Sequence, residues 1–119
     1  MFKILVCEPD DLMRLLLREW LVGAGYDVFV AQTPPSRAPT PDLIIVNILL
    51  PRRDCAATVD ALRSLYPAVP VIAMSARFRA GAGDAAATRD ALGVRGMLAK
   101  PFTRECLLAT VRDAIASTT

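Results

Sequence analysis

The sequence predicts an α/β domain built on a five-stranded parallel sheet with helices on both faces. Three observations carry that reading: short, almost unbroken apolar runs recur along the chain, stretches of helical periodicity separate them, and Gly or Pro punctuates most of the joins. An unbroken apolar run is what a strand buried on both faces requires, and strands alternating with helices imply right-handed crossovers between parallel neighbours. With 119 residues, of which 54% are apolar and 22% charged, the chain is sized for a single domain, residues 1–119, with its own core.

The elements follow in order. Residues 2–7, FKILVC, are the first strand, closed by Glu8 and Pro9. Residues 11–22, DLMRLLLREWLV, repeat apolar positions at helical spacing, set Arg14 and Arg18 on one exposed line, and stop at Gly23 and Gly25. Residues 26–31, YDVFVA, are the second strand. The following QTPPSRAPTPD carries four prolines between positions 34 and 41, too many for a regular helix, so the second helix is expected to be shortened or absent. Residues 43–48, LIIVNI, form the most apolar strand and are placed at the sheet centre. Residues 54–65 read as a helix with Val59, Leu62 and Leu65 inward and Asp60, Arg63 and Ser64 outward. Beyond Pro67 and Pro70, VIAMSA at 71–76 is the fourth strand, followed by a loop with Gly81 and Gly83 and an Ala-rich helix over 84–92. Residues 95–99 make a short fifth strand. Lys100-Pro101-Phe102 then leads to a last helix over 103–116, with Thr103 as its N-cap and Leu107, Leu108, Val111 and Ile115 as its buried stripe.

Composition removes several function classes. A net charge of +2 with no block of Lys or Arg gives no footprint for a nucleic-acid partner. No apolar run reaches membrane-spanning length, and MFKILVCEPDD places acids where a signal peptide would carry its cleavage region, so a cytoplasmic protein without a membrane partner is expected. Cys7, Cys55 and Cys106 lack the paired spacing of a zinc or redox site and are expected to be buried or semi-buried reduced thiols. The absence of histidine excludes His-based catalysis, His phosphorylation on this chain and most transition-metal sites.

In a parallel sheet of this kind, sites form beyond the carboxyl ends of the strands, where the strand order reverses. Glu8 with Asp10, Asn47, Ser75-Ala76 and Lys100 end strands one, three, four and five, so they fall on that edge. Asn47 is conspicuous as the one amide closing so apolar a strand.

Four pieces of the chain, ILVCEPDDLMR with GYDV, PDLIIVNILLPRRD, VPVIAMSA and GVRGMLAKPF, stand in the order found in receiver domains of two-component response regulators, which the whole chain resembles. The resemblance implies the flavodoxin-like, doubly wound fold. It also implies the family's chemistry, transfer of a phosphoryl group from a phosphohistidine partner to an aspartate ending the third strand, with Mg²⁺ held by that aspartate and an acidic pair after the first. A carboxylate is a competent nucleophile, the metal neutralises phosphoryl oxygens, and a lysine and a hydroxyl hold the product.

Carried onto this chain, the acceptor position is Asn47, the acidic pair falls on Glu8 and Pro9, the hydroxyl on Ser75 and the lysine on Lys100, whose bond to Pro101 the resemblance implies to be cis. The aromatic rotor position three residues before the lysine is Met97. An amide does not form an acyl phosphate, and a hard cation needs the missing carboxylates. No cofactor is therefore expected, and Mg²⁺ only weakly, at Glu8 and Asp10. The resemblance thus implies a degenerate pseudo-receiver, not itself an enzyme, that works by phosphorylation-independent contact with a protein: a histidine kinase, an output protein or another regulator.

Other readings stay open at this point. Asn47 caps the strand edge or acts directly; Lys100 pairs with Glu8 or touches a ligand; Ser75 is a structural hydroxyl or a contact; Glu8 and Asp10 serve helix dipoles or a cation. Arg52, Arg53, Arg77 and Arg79 follow strands three and four on the same edge, and if they converge they make an anion or nucleotide site; otherwise they are solvated loop residues. Receipt of a phosphoryl group on Asp54 or Asp10 instead is the remaining alternative. The flat AGAGDAAATRDALG segment suggests a homodimer through the last two helices and the fifth strand, with the first helix, where Leu15 extends the apolar stripe, as the other face.

Overall fold

The structure, a computed structural model, describes residues 2–31, 40–48, 52–75 and 93–116, of which 52–56 by backbone alone. Strands β1 (Lys3–Cys7), β2 (Asp27–Ala31), β3 (Leu43–Asn47), β4 (Val71–Ser75) and β5 (Gly96–Ala99) and helices α1 (Asp11–Gly23), α2 (Arg52–Leu65) and α3 (Arg104–Ala116) follow one another in the order β1-α1-β2-β3-α2-β4-β5-α3 among the described residues. All neighbours are parallel in the order β2-β1-β3-β4-β5, which puts β3 at the centre. The order turns back between β1 and β3, the switch point at which such sheets bind ligands.

The alternation of side chains along each strand divides the core into two layers. On one face Ile4, Val6, Ile45, Ile72 and Met74 meet Leu17 and Leu21 of α1 and Leu107, Val111 and Ala114 of α3. On the other, Leu5, Ile44, Val46, Val71 and Ala73 meet Val59 and Leu62 of α2 with Tyr66 just beyond it. Each central strand is therefore covered twice, which is why these segments are apolar throughout. The doubly wound, flavodoxin-like architecture expected from the sequence is the one observed.

Helix ends are fixed by local chemistry. Asp10, in extended backbone, caps α1 by accepting from the N–H groups of Leu12 (2.9 Å) and Met13 (3.4 Å). Thr103 caps α3, its Oγ1 accepting from Cys106 N–H at 3.0 Å, as the sequence suggested. Gly25 takes a φ of 98° after α1, where a side chain would be strained.

Several expectations are corrected. Leu65 is 44% exposed, and Tyr66 (7%) fills the inward position instead. At roughly 100° per residue, Val59 and Tyr66 fall on the same side of Leu62 and Leu65 on the other, so the stripe turns away from Leu65. Arg14 is not on an exposed line with Arg18 but largely covered, its guanidinium turned onto the carbonyls of Glu8 and Pro9. Cys7 is buried, whereas Cys106 is exposed on α3, so the buried-thiol expectation fails there. Helix α2 begins at Arg52, two residues before the expected start at 54. The shortened second helix, Ala76, the loop with Gly81 and Gly83, and the Ala-rich helix over 84–92 fall outside the described residues.

Candidate functional site

Parallel register turns four distant sequence positions into one edge. Cys7 pairs with Val46, Asn47 with Met74 and Ser75 with Ala99, so Glu8, Asn47, Ser75 and Lys100 all stand at the carboxyl ends of neighbouring strands. The edge is tied together by backbone bonds: Glu8 N–H donates to Ala31 O (2.9 Å), Ile48 N–H to Met74 O (2.9 Å) and Lys100 N–H to Ser75 O (3.0 Å).

Glu8 is the centre of the polar arrangement. Its side chain is 1% exposed, and its Oε1 accepts from Lys100 Nζ, whose side chain is 17% exposed. Its Oε2 accepts from Asp10 N–H at 3.2 Å. Strands β1 and β5 are separated by β3 and β4, roughly 14 Å at the usual strand spacing. The Glu8–Lys100 pair therefore spans the ends of both intervening strands, above the edge where Asn47 and Ser75 stop. Ser75 is itself buried and Asn47 half-buried.

Arginine 14 was missed in reading the sequence as a site residue. Its Nη1 donates to the carbonyls of Glu8 (2.9 Å) and Pro9 (3.3 Å), and its Nη2 pairs with Asp11. The guanidinium thus clamps the turn between β1 and α1 from its outer side. Asp11 and Arg14 at i,i+3 were the available signal; the carbonyl contacts were not.

Asp10 spends Oδ1 on two N–H groups of α1, and Pro9 contributes no side-chain oxygen. Of these two described carboxylates, Glu8 is thus engaged by a lysine and a backbone donor and Asp10, through Oδ1, by a helix start. Among the described residues no group of three or more His, Cys, Asp or Glu gathers as a metal centre. Met97 is half-buried on β5 and packs against the α2-side core. Lys100–Pro101 is cis, the geometry the resemblance implied. The backbone of Arg52 and Arg53 opens α2, but their side chains, like Arg77, Arg79 and the Asp54 carboxyl, lie outside the described residues. No helix of the described residues is long and apolar enough to cross a membrane.

A parallel sheet in this strand order, with an acidic turn after β1 paired to a lysine after β5 on the carboxyl edge, defines the receiver class of signalling domain. The chain belongs to that family: residues 4–112 match the response regulator receiver domain. It is 37% identical over 120 residues to the KDP operon transcriptional regulatory protein KdpE of Escherichia coli, covering 97% of this chain and 52% of that protein. It is also 32% identical over 122 residues to the response regulator MprA of Mycolicibacterium vanbaalenii, covering 98% of this chain and 52% of that one. The chain thus spans about half the length of these curated relatives. Among solved structures, the chemotaxis protein CheY4 of Vibrio cholerae superposes with a TM-score of 0.76 at 26% identity, covering 96% of this chain and 98% of that one. A response regulator from Thermotoga maritima superposes at 0.81 with 20% identity over 98% of both chains, a likeness of fold.

Proposed function

We propose that this receiver domain acts in two-component signalling without accepting a phosphoryl group, by contact with a protein partner such as a histidine kinase, an output protein or another regulator. The observation that carries the reading is Asn47 at the end of β3, where an acceptor carboxylate would stand, on the same sheet edge as a lysine already paired with buried Glu8. An amide is a poor nucleophile towards phosphorus, and Glu8 with both oxygens engaged, beside Asp10 with its Oδ1 engaged, offers a poor set for Mg²⁺, which demands near-ideal octahedral oxygen geometry. The residues present therefore do not fit the metal. The domain itself is then not a catalyst; its output is a surface. Asp10 as a substitute acceptor is disfavoured by its capping role.

The test is intact-protein mass after incubation with Mg²⁺ and a small phosphodonor. Wild type is expected to stay unmodified. Asn47→Asp together with Pro9→Asp, which restores both lost carboxylates, is expected to gain one phosphoryl mass. A phosphoryl adduct on wild type, mapped to Asp10, Asp54 or any other residue, would overturn the proposal.

A further inference from the structure

Among the described residues, three of the six large apolar side chains that stand in solvent belong to α1: Leu12 at 78%, Leu15 at 59% and Val22 at 51% exposure. Soluble domains rarely leave such a stripe open without a use for it. Leu15 and Val22 are seven residues apart and so lie nearly on one line of the helix. Arg18 and Glu19 sit between them in sequence, both exposed. At about 100° per residue Arg18 falls roughly 50° to one side of that line and Glu19 roughly 50° to the other. Leu15, Arg18, Glu19, Val22 and Gly23 line a shallow groove of about 360 Å³, and a side chain at Gly23 would meet nothing within 4 Å, so a second backbone can come close there.

An apolar line with opposite charges on its two flanks is complementary to itself in one orientation. When two copies pack parallel about a two-fold axis along the helices, the flanks cross: Arg18 of each faces Glu19 of the other. When they pack antiparallel, the flanks match like to like, Arg18 beside Arg18 and Glu19 beside Glu19. We propose that α1 is a self-association surface on which a second copy of this chain packs its own α1 in parallel. Leu15 and Val22 form the seam, and two Arg18–Glu19 pairs set the direction. The proposal does not depend on whether the chain receives a phosphoryl group. It places self-association on the first helix, not on the last two helices and β5.

The experiment is sedimentation velocity of the whole chain across a concentration series, with circular dichroism confirming that each variant folds. Wild type is expected to dimerise reversibly. Leu15→Asp should weaken association roughly tenfold or more, since it removes a buried apolar pair from the seam. R18E alone and E19R alone should each weaken it, because each makes both flank pairs like-charged, while R18E/E19R together should restore it. In a Cys106→Ser background, Leu15→Cys should oxidise to a covalent dimer with itself. A wild type that stays monomeric throughout overturns the proposal and leaves α1 to a different protein. So does a dimer indifferent to Leu15→Asp, or a covalent link that forms only when Leu15→Cys is mixed with Val22→Cys, the signature of antiparallel packing.

Discussion

Replacing Lys100 by Met should cost this domain about 3 kcal/mol of stability. The magnitude comes from what is left behind. Glu8 has a side chain 1% exposed, so without the ammonium its carboxylate is stranded in a poorly hydrated place with the Asp10 N–H as its remaining donor. Breaking a buried ion pair by removing one partner costs roughly 3–5 kcal/mol, and the 17% exposure of Lys100 argues for the lower end. With a urea m-value of about 1.5 kcal/mol per molar, the unfolding midpoint should fall by about 2 M. Adding Glu8→Gln to Lys100→Met removes the orphaned charge and should recover most of that loss, giving a coupling of about 2 kcal/mol in a double-mutant cycle. Urea titrations of the four proteins followed by circular dichroism measure it. A Lys100→Met variant within about 0.5 kcal/mol of wild type, or additive single effects, would refute the reasoning, because either means the Glu8 charge does not depend on Lys100.

Three further outcomes are expected. Gly93→Ala should destabilise by about 1–2 kcal/mol, because Gly93 has a φ of 72° and its Cβ would fall 1.6 Å from an Arg63 guanidinium nitrogen; in an Arg63→Ala background the thermal-melt penalty should shrink. Burial pushes the Cys7 thiol from 9.0 to about 12. A raised folded-state value stabilises fully below pH 9.0 and is lost as pH rises towards 12, so wild type should lose stability over that window at up to about 1.4 kcal/mol per pH unit relative to Cys7→Ala, by chemical denaturation at each pH. Asp10→Ala should cost about 1 kcal/mol through loss of the α1 cap, read as a lower melting temperature, while Asp10→Asn should be close to neutral.

Much of the fold could be read from the chain because a strand covered on both faces has to be apolar at nearly every position, and FKILVC, LIIVNI and VIAMSA meet that condition within ordinary strand length. Thr103 as a cap was legible for a similar reason: the interaction is local, spanning three residues. Leu65 was not, since its fate depends on a small turn of the α2 stripe that only packing settles. The candidate site was legible as a set of positions once strands were placed, but its wiring was not. Glu8 and Lys100 are separated by 92 positions, and nothing local says that one neutralises the other. Arg14 looked like a solvated helix residue because its partners are carbonyl oxygens, which leave no trace in side-chain identity.

The only tryptophan in the chain, Trp20, meets Phe102 edge to face with ring centroids 6.4 Å apart. Phe102 is two residues from Lys100, so the indole touches the same short connection that delivers the lysine to Glu8. The protein consequently carries its own optical probe: emission from its single indole, excited selectively over the two tyrosines, should register displacement of that connection without a label, and Phe102→Leu provides the control in which the signal is uncoupled.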